Sequence, residues 1–198
     1  MSNAGATRAS LAAVLEEAAA AGDHARATEL LAAGALVTPN ALCHAIAAGS
    51  NEIVTALLDA GAHPNAPDTR GVAPIFAAAA AGHPALPTFL ADPDHTDLRA
   101  PIWPAHTPSI GHAEVMWTLL ARGADPNARA TPATRATSAG VSALMVAAAF
   151  GHTPALDVLV ARGADARAVD YAGRNARDFA ERFGQKAAME RLRSFTRR

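Results

Sequence analysis

The chain carries eight histidines and eighteen carboxylates, and their spacing decides what chemistry is open to them. His95 stands among Asp92, Asp94 and Asp97, with His106 eleven residues further on. Imidazole and carboxylate groups ligate divalent cations. Residues 92–106 are therefore where a metal-dependent enzyme reading can be built. Their spacing fits no metal motif, however, and polar loops often have this composition. The expectation is no metal and no cofactor. Cys43-His44 sets a thiol beside a base, the pair needed for nucleophilic attack. Neighbours in sequence on a helix point about 100° apart, so the two do not face one another. Cys43 reads as a small buried residue. There is no glycine-rich phosphate loop, nucleophile elbow or paired-carboxylate motif. The residues point away from an enzyme.

Composition narrows the elements that must hold these side chains. Of 198 residues, 51% are hydrophobic but only 5% aromatic, and 54 are alanine. Small helix-favouring side chains make a thin globular core and suit closely packed helices better. The formal net charge of −1 gives no field for nucleic acid or an anionic membrane. The C-terminal stretch from Arg174, with Arg191, Arg193, Arg197 and Arg198, is basic. It lacks interleaved aromatics for base stacking and reads as a solvated helix end. A single cysteine excludes an internal disulfide and favours a reducing compartment. Arg8 is followed by Glu16 and Glu17 before any apolar run long enough for a signal peptide. The uncharged stretch from Gly71 to Ala91 is alanine-rich and broken by Pro74, Pro84 and Pro87, so no membrane span is expected. A cytoplasmic monomer is the expectation.

Internal repetition sets the architecture. Gly34-Ala35, Gly61-Ala62, Gly123-Ala124 and Gly163-Ala164 each follow an apolar run. Twelve residues before each first glycine stand Gly22, Gly49, Gly111 and Gly151. Gly82-His83, Gly111-His112 and Gly151-His152 share a Gly-His step, and Gly71, Gly140 and Gly173 lie eleven residues before Gly82, Gly151 and Gly184. An Ala-rich helix, a glycine at its end, a second helix with an apolar stripe and a second glycine account for these offsets. One such pair cannot bury its own apolar face, whereas stacked pairs can.

Ala73-Pro74-Ile75-Phe76-Ala77-Ala78, Ser142-Ala143-Leu144-Met145-Val146-Ala147 and the turn from Gly61 to Gly71 resemble the ankyrin repeat. The resemblance implies an all-α solenoid with short β-hairpin fingers and a histidine that bonds neighbouring turns at each Gly-His step. Six units are expected, about 7–37, 38–66, 67–97, 98–127, 128–166 and 167–198, the first and last as caps. It also implies a non-enzymatic module that binds a partner protein on its concave, finger-bearing side. A regulatory or protective partner of one enzyme or toxin is a specialised form of that reading.

Departures from the repeat are where recognition is sought. The second unit lacks a finger, Thr38-Pro39-Asn40 leading straight into a helix. Pro104 and Pro108 interrupt the first helix expected in the fourth unit. Residues 128–139 lengthen the fifth finger. The candidate contact residues are His95, Trp103, His106, Arg135, Thr69, Arg70, Phe150 and Tyr171. Trp103 would be the anchor, since tryptophan is enriched in binding hot spots. Trp117 is expected to lie half buried between helices.

Overall fold

The structure is a computed structural model that describes residues 3–80, Leu86, Leu90, 110–130 and 140–196. Ten helices lie among the described residues: α1 (Asn3–Ala21), α2 (His24–Ala32), α3 (Pro39–Ala48), α4 (Asn51–Asp59), α5 (Pro74–Ala79), α6 (Ile110–Ala121), α7 (Ala143–Phe150), α8 (Thr153–Ala161), α9 (Ala176–Arg182) and α10 (Lys186–Thr196).

Local chemistry sets their ends. Thr38 accepts from the Ala41 N–H at 3.1 Å and Pro39 follows at the first helical position, where its missing N–H costs nothing. Gly49 closes α3 at φ 70°, a conformation that side chains with a β-carbon resist. Ser142 caps α7 through the Met145 N–H, and Gly151 closes it in the same left-handed form. Asn175 and Asp178 cap α9 reciprocally. Asn40, in the first turn of α3, accepts from the Thr69 N–H at 3.0 Å.

The helices form two layers. α1, α3, α5, α7 and α9 pack in that order as an inner row, and α2, α4, α6, α8 and α10 as an outer row. Alanine makes the inner row possible. Ala77, Ala78 and Ala79 of α5 and Ala147, Ala148 and Ala149 of α7 are all buried, so backbones approach closely on both flanks. The outer row supplies bulk. Ile53, Val54 and Leu57 of α4, and Val115, Met116 and Leu119 of α6, are fully buried, each contributing about 1.5–3 kcal/mol by leaving water.

Helix α5, from the expected third unit, packs on α6, from the expected fourth, and the two make one layer. The described residues therefore form five helix pairs. Cross-links confirm the order. Asn65 donates to the Gly123 carbonyl at 3.0 Å and accepts from the Asp125 N–H at 3.0 Å. Asn127 does the same to Gly163 and Asp165 one layer on. The Gly-His histidines bond as the resemblance implies: a ring nitrogen of His112 lies 3.3 Å from the Ala47 carbonyl and one of His152 lies 2.9 Å from the Ala79 carbonyl. His83 lies outside the described residues, as does the proline-interrupted segment before α6. Leu86 is buried, and Leu90 packs against the core.

Candidate functional site

The fingers are built around buried carboxylates. Asp68 accepts from the N–H groups of Arg70 and Val72, both at 2.9 Å, and from the Arg70 guanidinium at 2.8 Å. Its own N–H donates to the Val72 carbonyl, which closes the loop. Asp170 repeats the device with Ala172, Arg174 and the Arg174 guanidinium. Both carboxylates are buried, so each finger is held by one charge with its donors satisfied. Thr69 and Tyr171 occupy the same step on the two fingers, one residue after the aspartate.

Tyr171 is 76% exposed, yet its position is defined. Its ring carbons lie 3.1 Å from the point where a β-carbon on Gly140 would sit, and Gly140 has φ +95°. Only glycine accepts both conditions. Ala130 and Gly140 flank the stretch 131–139, which lies outside the described residues. In this finger the Ala130 N–H donates to the Val141 carbonyl and the Gly140 N–H to the Ala130 carbonyl. Arg129 then ties this finger to the next, donating to the carbonyls of Gly140 at 2.7 Å and Val169 at 2.6 Å. Val169, 46% exposed, stands beside Tyr171. Arg129 and Val169 were not among the sequence candidates. Their signal is faint, since each matters only because the neighbouring layer lies opposite.

The structure distributes the expected contact residues unevenly. Thr69 and Tyr171 stand at finger tips. Arg70 is exposed in part, but its guanidinium is committed to Asp68 at 2.7 Å. Phe150 is half buried at the far end of α7 from the fingers, its ring 6.2 Å from that of His152. His95, Trp103, His106 and Arg135 lie outside the described residues, as does the His/Asp loop of the metal reading. Among the described residues no group of three or more His, Cys, Asp or Glu side chains is arranged to hold a metal ion.

Two other side chains are now placed. Cys43 is buried and its Sγ donates weakly to the Val72 carbonyl of the next layer at 3.6 Å. Burial, followed by the nearby Asp68 carboxylate, pushes the thiol up to about 12, far from the range of a nucleophile. Trp117 is 51% exposed, lines a cleft with Asn51 of α4 and Val158 of α8, and has the Arg162 guanidinium carbon 3.5 Å from its ring centroid. Helix α6 turns Val115, Met116 and Leu119 inward, which carries Trp117 round to the outer surface.

Paired helices stacked in two rows, joined by pinned hairpin turns, define a repeat solenoid whose class is set by the turns. The described residues form an all-helical solenoid, and the family model for the Ankyrin repeat matches it at two places, residues 39–69 and 139–171. No curated protein matches it. Ankyrin repeats are in general protein–protein interaction modules. No helix among the described residues is long and apolar enough to cross a membrane.

Proposed function

We propose that this solenoid is a non-enzymatic binding module that holds one partner protein along its finger edge, with Thr69 and Tyr171 as described contacts. The observation that carries the reading is Tyr171. A large aromatic residue, 76% exposed, is packed over Gly140 on a finger fixed by buried Asp170. An aromatic group held rigidly in water is unfavourable for folding alone and favourable for binding, because little freedom remains to be lost on contact. Arg129 locks two fingers together, so the edge is preorganised across layers. His95, Trp103, His106 and Arg135 belong to the same proposal, as segments flanking this edge in sequence. Phe150 is its weakest member, and Arg70 supports the finger rather than reaching out. The net charge of −1 favours a protein over nucleic acid as partner. A monomeric, cytoplasmic protein is part of the same reading.

The test places a photo-cross-linking amino acid at Tyr171, at Thr69, or at Ala25 on the exposed start of α2, in the native cell. The expected result is one shared protein adduct at Tyr171 and Thr69 and none at Ala25. Adducts of equal yield at all three positions, or none at Tyr171, would overturn the reading.

A further inference from the structure

The outer face carries a second feature that the finger edge does not use. The repeat register pairs an arginine with a carboxylate across layers. Arg122, the residue before Gly123, bonds Asp59 of the preceding layer at 2.6 Å. Asp59 lies two residues before Gly61. One layer on, Arg162 precedes Gly163 in the same way, but the position two before Gly123 is Ala121. The carboxylate is missing. Among the described residues no acidic group pairs with Arg162, and its guanidinium carbon instead lies over the Trp117 ring, 3.5 Å from the centroid. A guanidinium stacked on an indole keeps its N–H fork directed outward in the plane of the stack. That fork is suited to bidentate capture of a carboxylate.

Trp117 also lines a cleft of 360 Å³ together with Asn51, Ala113, Glu114, Thr118 and Val158. Thr118 and Asn51 are bonded to each other at 2.7 Å, which leaves Trp117, Val158 and Ala113 as its apolar wall. Glu114 stands one helical turn from Trp117, towards the start of α6, whereas Arg162 follows the end of α8. Glu114 lines the cleft itself, whereas the Arg162 guanidinium sits over the tryptophan ring. Tryptophan and arginine are both enriched in binding hot spots.

We infer that Trp117 and Arg162 form a docking site on the outer face for an acidic segment of a partner protein. One Asp or Glu pairs with Arg162, and an adjacent apolar side chain enters the cleft against Trp117 and Val158. The carboxylate supplied by the partner replaces the one that Ala121 removed from the register. This surface is separate from the finger edge, so two binding faces operate on one scaffold.

The probe is a random dodecapeptide display library panned on the full chain. Enriched peptides are then measured by fluorescence anisotropy against wild type, Arg162→Gln, Trp117→Ala, Trp117→Phe and Arg122→Gln. The expected peptides carry Asp or Glu next to Leu, Ile or Phe. Arg162→Gln and Trp117→Ala should each weaken them about tenfold or more, and Asp→Asn in the peptide should do the same. Arg122→Gln, whose carboxylate partner is internal, should change binding by less than about twofold. Trp117→Phe keeps an aromatic platform and should retain intermediate affinity, which separates recognition from a folding defect. Absence of acidic enrichment, or binding that survives both Arg162→Gln and Trp117→Ala, overturns the inference. Loss of peptide binding in Tyr171→Ala alone assigns the peptides to the finger edge and also overturns it. A wild-type dimer in sedimentation that Arg162→Gln dissolves names a second copy as the occupant, with the same consequence.

Discussion

His152 and Ala79 are 73 residues apart in the chain, yet a ring nitrogen of the histidine lies 2.9 Å from the alanine carbonyl. The carbonyl can only accept, so Nδ1 carries the proton in this bond. The bond joins the start of one outer helix to the end of the inner helix in the preceding layer. His152 is buried, so His152→Ala leaves that carbonyl without its donor. The expected loss is about 1–3 kcal/mol, read as a lower urea midpoint. His112→Ala, at a longer and more exposed bond of 3.3 Å, should lose less. Equal losses would show that the position matters only for packing.

The finger carboxylates should rank above surface charges in stability. Asp170 is fully buried as a side chain and faces Arg174, itself mostly covered. Asp170→Ala strands that cation and two backbone N–H groups, with an expected loss of about 2–4 kcal/mol. Asp170→Asn keeps an acceptor and should recover part of it. By comparison, Arg26→Ala, which breaks the exposed pair with Glu29, should fall within about 0.5 kcal/mol. Thermal melts of the three variants check the order.

Cys43 links burial to pH. Its folded thiol titrates at about 12, whereas an unfolded thiol titrates near 8.5. Below about 8.5 both states are protonated and the full stability is present. As pH rises from there towards 12 the unfolded chain ionises first, so stability falls through that window. Cys43→Ala should flatten this part of the curve. In the folded protein at pH 8 the thiol should resist an aromatic disulfide reagent and react fully in denaturing urea. Rapid reaction without urea would mean that α3 opens readily.

Helices α9 and α10 shield α7 and α8. Phe179 and Ala180 are buried, and α9 packs on α7 while α10 packs on α8. Removing residues 167–198 would uncover the fully buried Leu144 and Met145 side of the stack. Light scattering should then show aggregation at concentrations where the full chain stays monodisperse. A truncated protein that remains monodisperse with an unchanged melt would show that this pair is dispensable.

The sequence by itself determined the features that act over a few residues. Thr38 and Gly49 bracket α3, Ser142 and Gly151 bracket α7, and the stripe through Val115, Leu119 and Leu120 marks α6 as amphipathic, because caps, left-handed glycines and helical periodicity are all local. The Gly-His histidines were legible for the same reason, as was the burial of Cys43. Tertiary structure alone decided which helices share a layer. The stretch between α5 and α6 adds glycine and histidine signals that look like a unit boundary, yet Asn65 reaches straight to Gly123 and Asp125. Loop closure grows only with the logarithm of length, about 0.6 kcal/mol per doubling, so the number of residues between two stacked helices hardly alters the stacking energy. The same holds for Arg162 and Trp117, and for Arg129 and Val169. Each side chain is ordinary in its own segment and acquires a role only when the next layer is set against it.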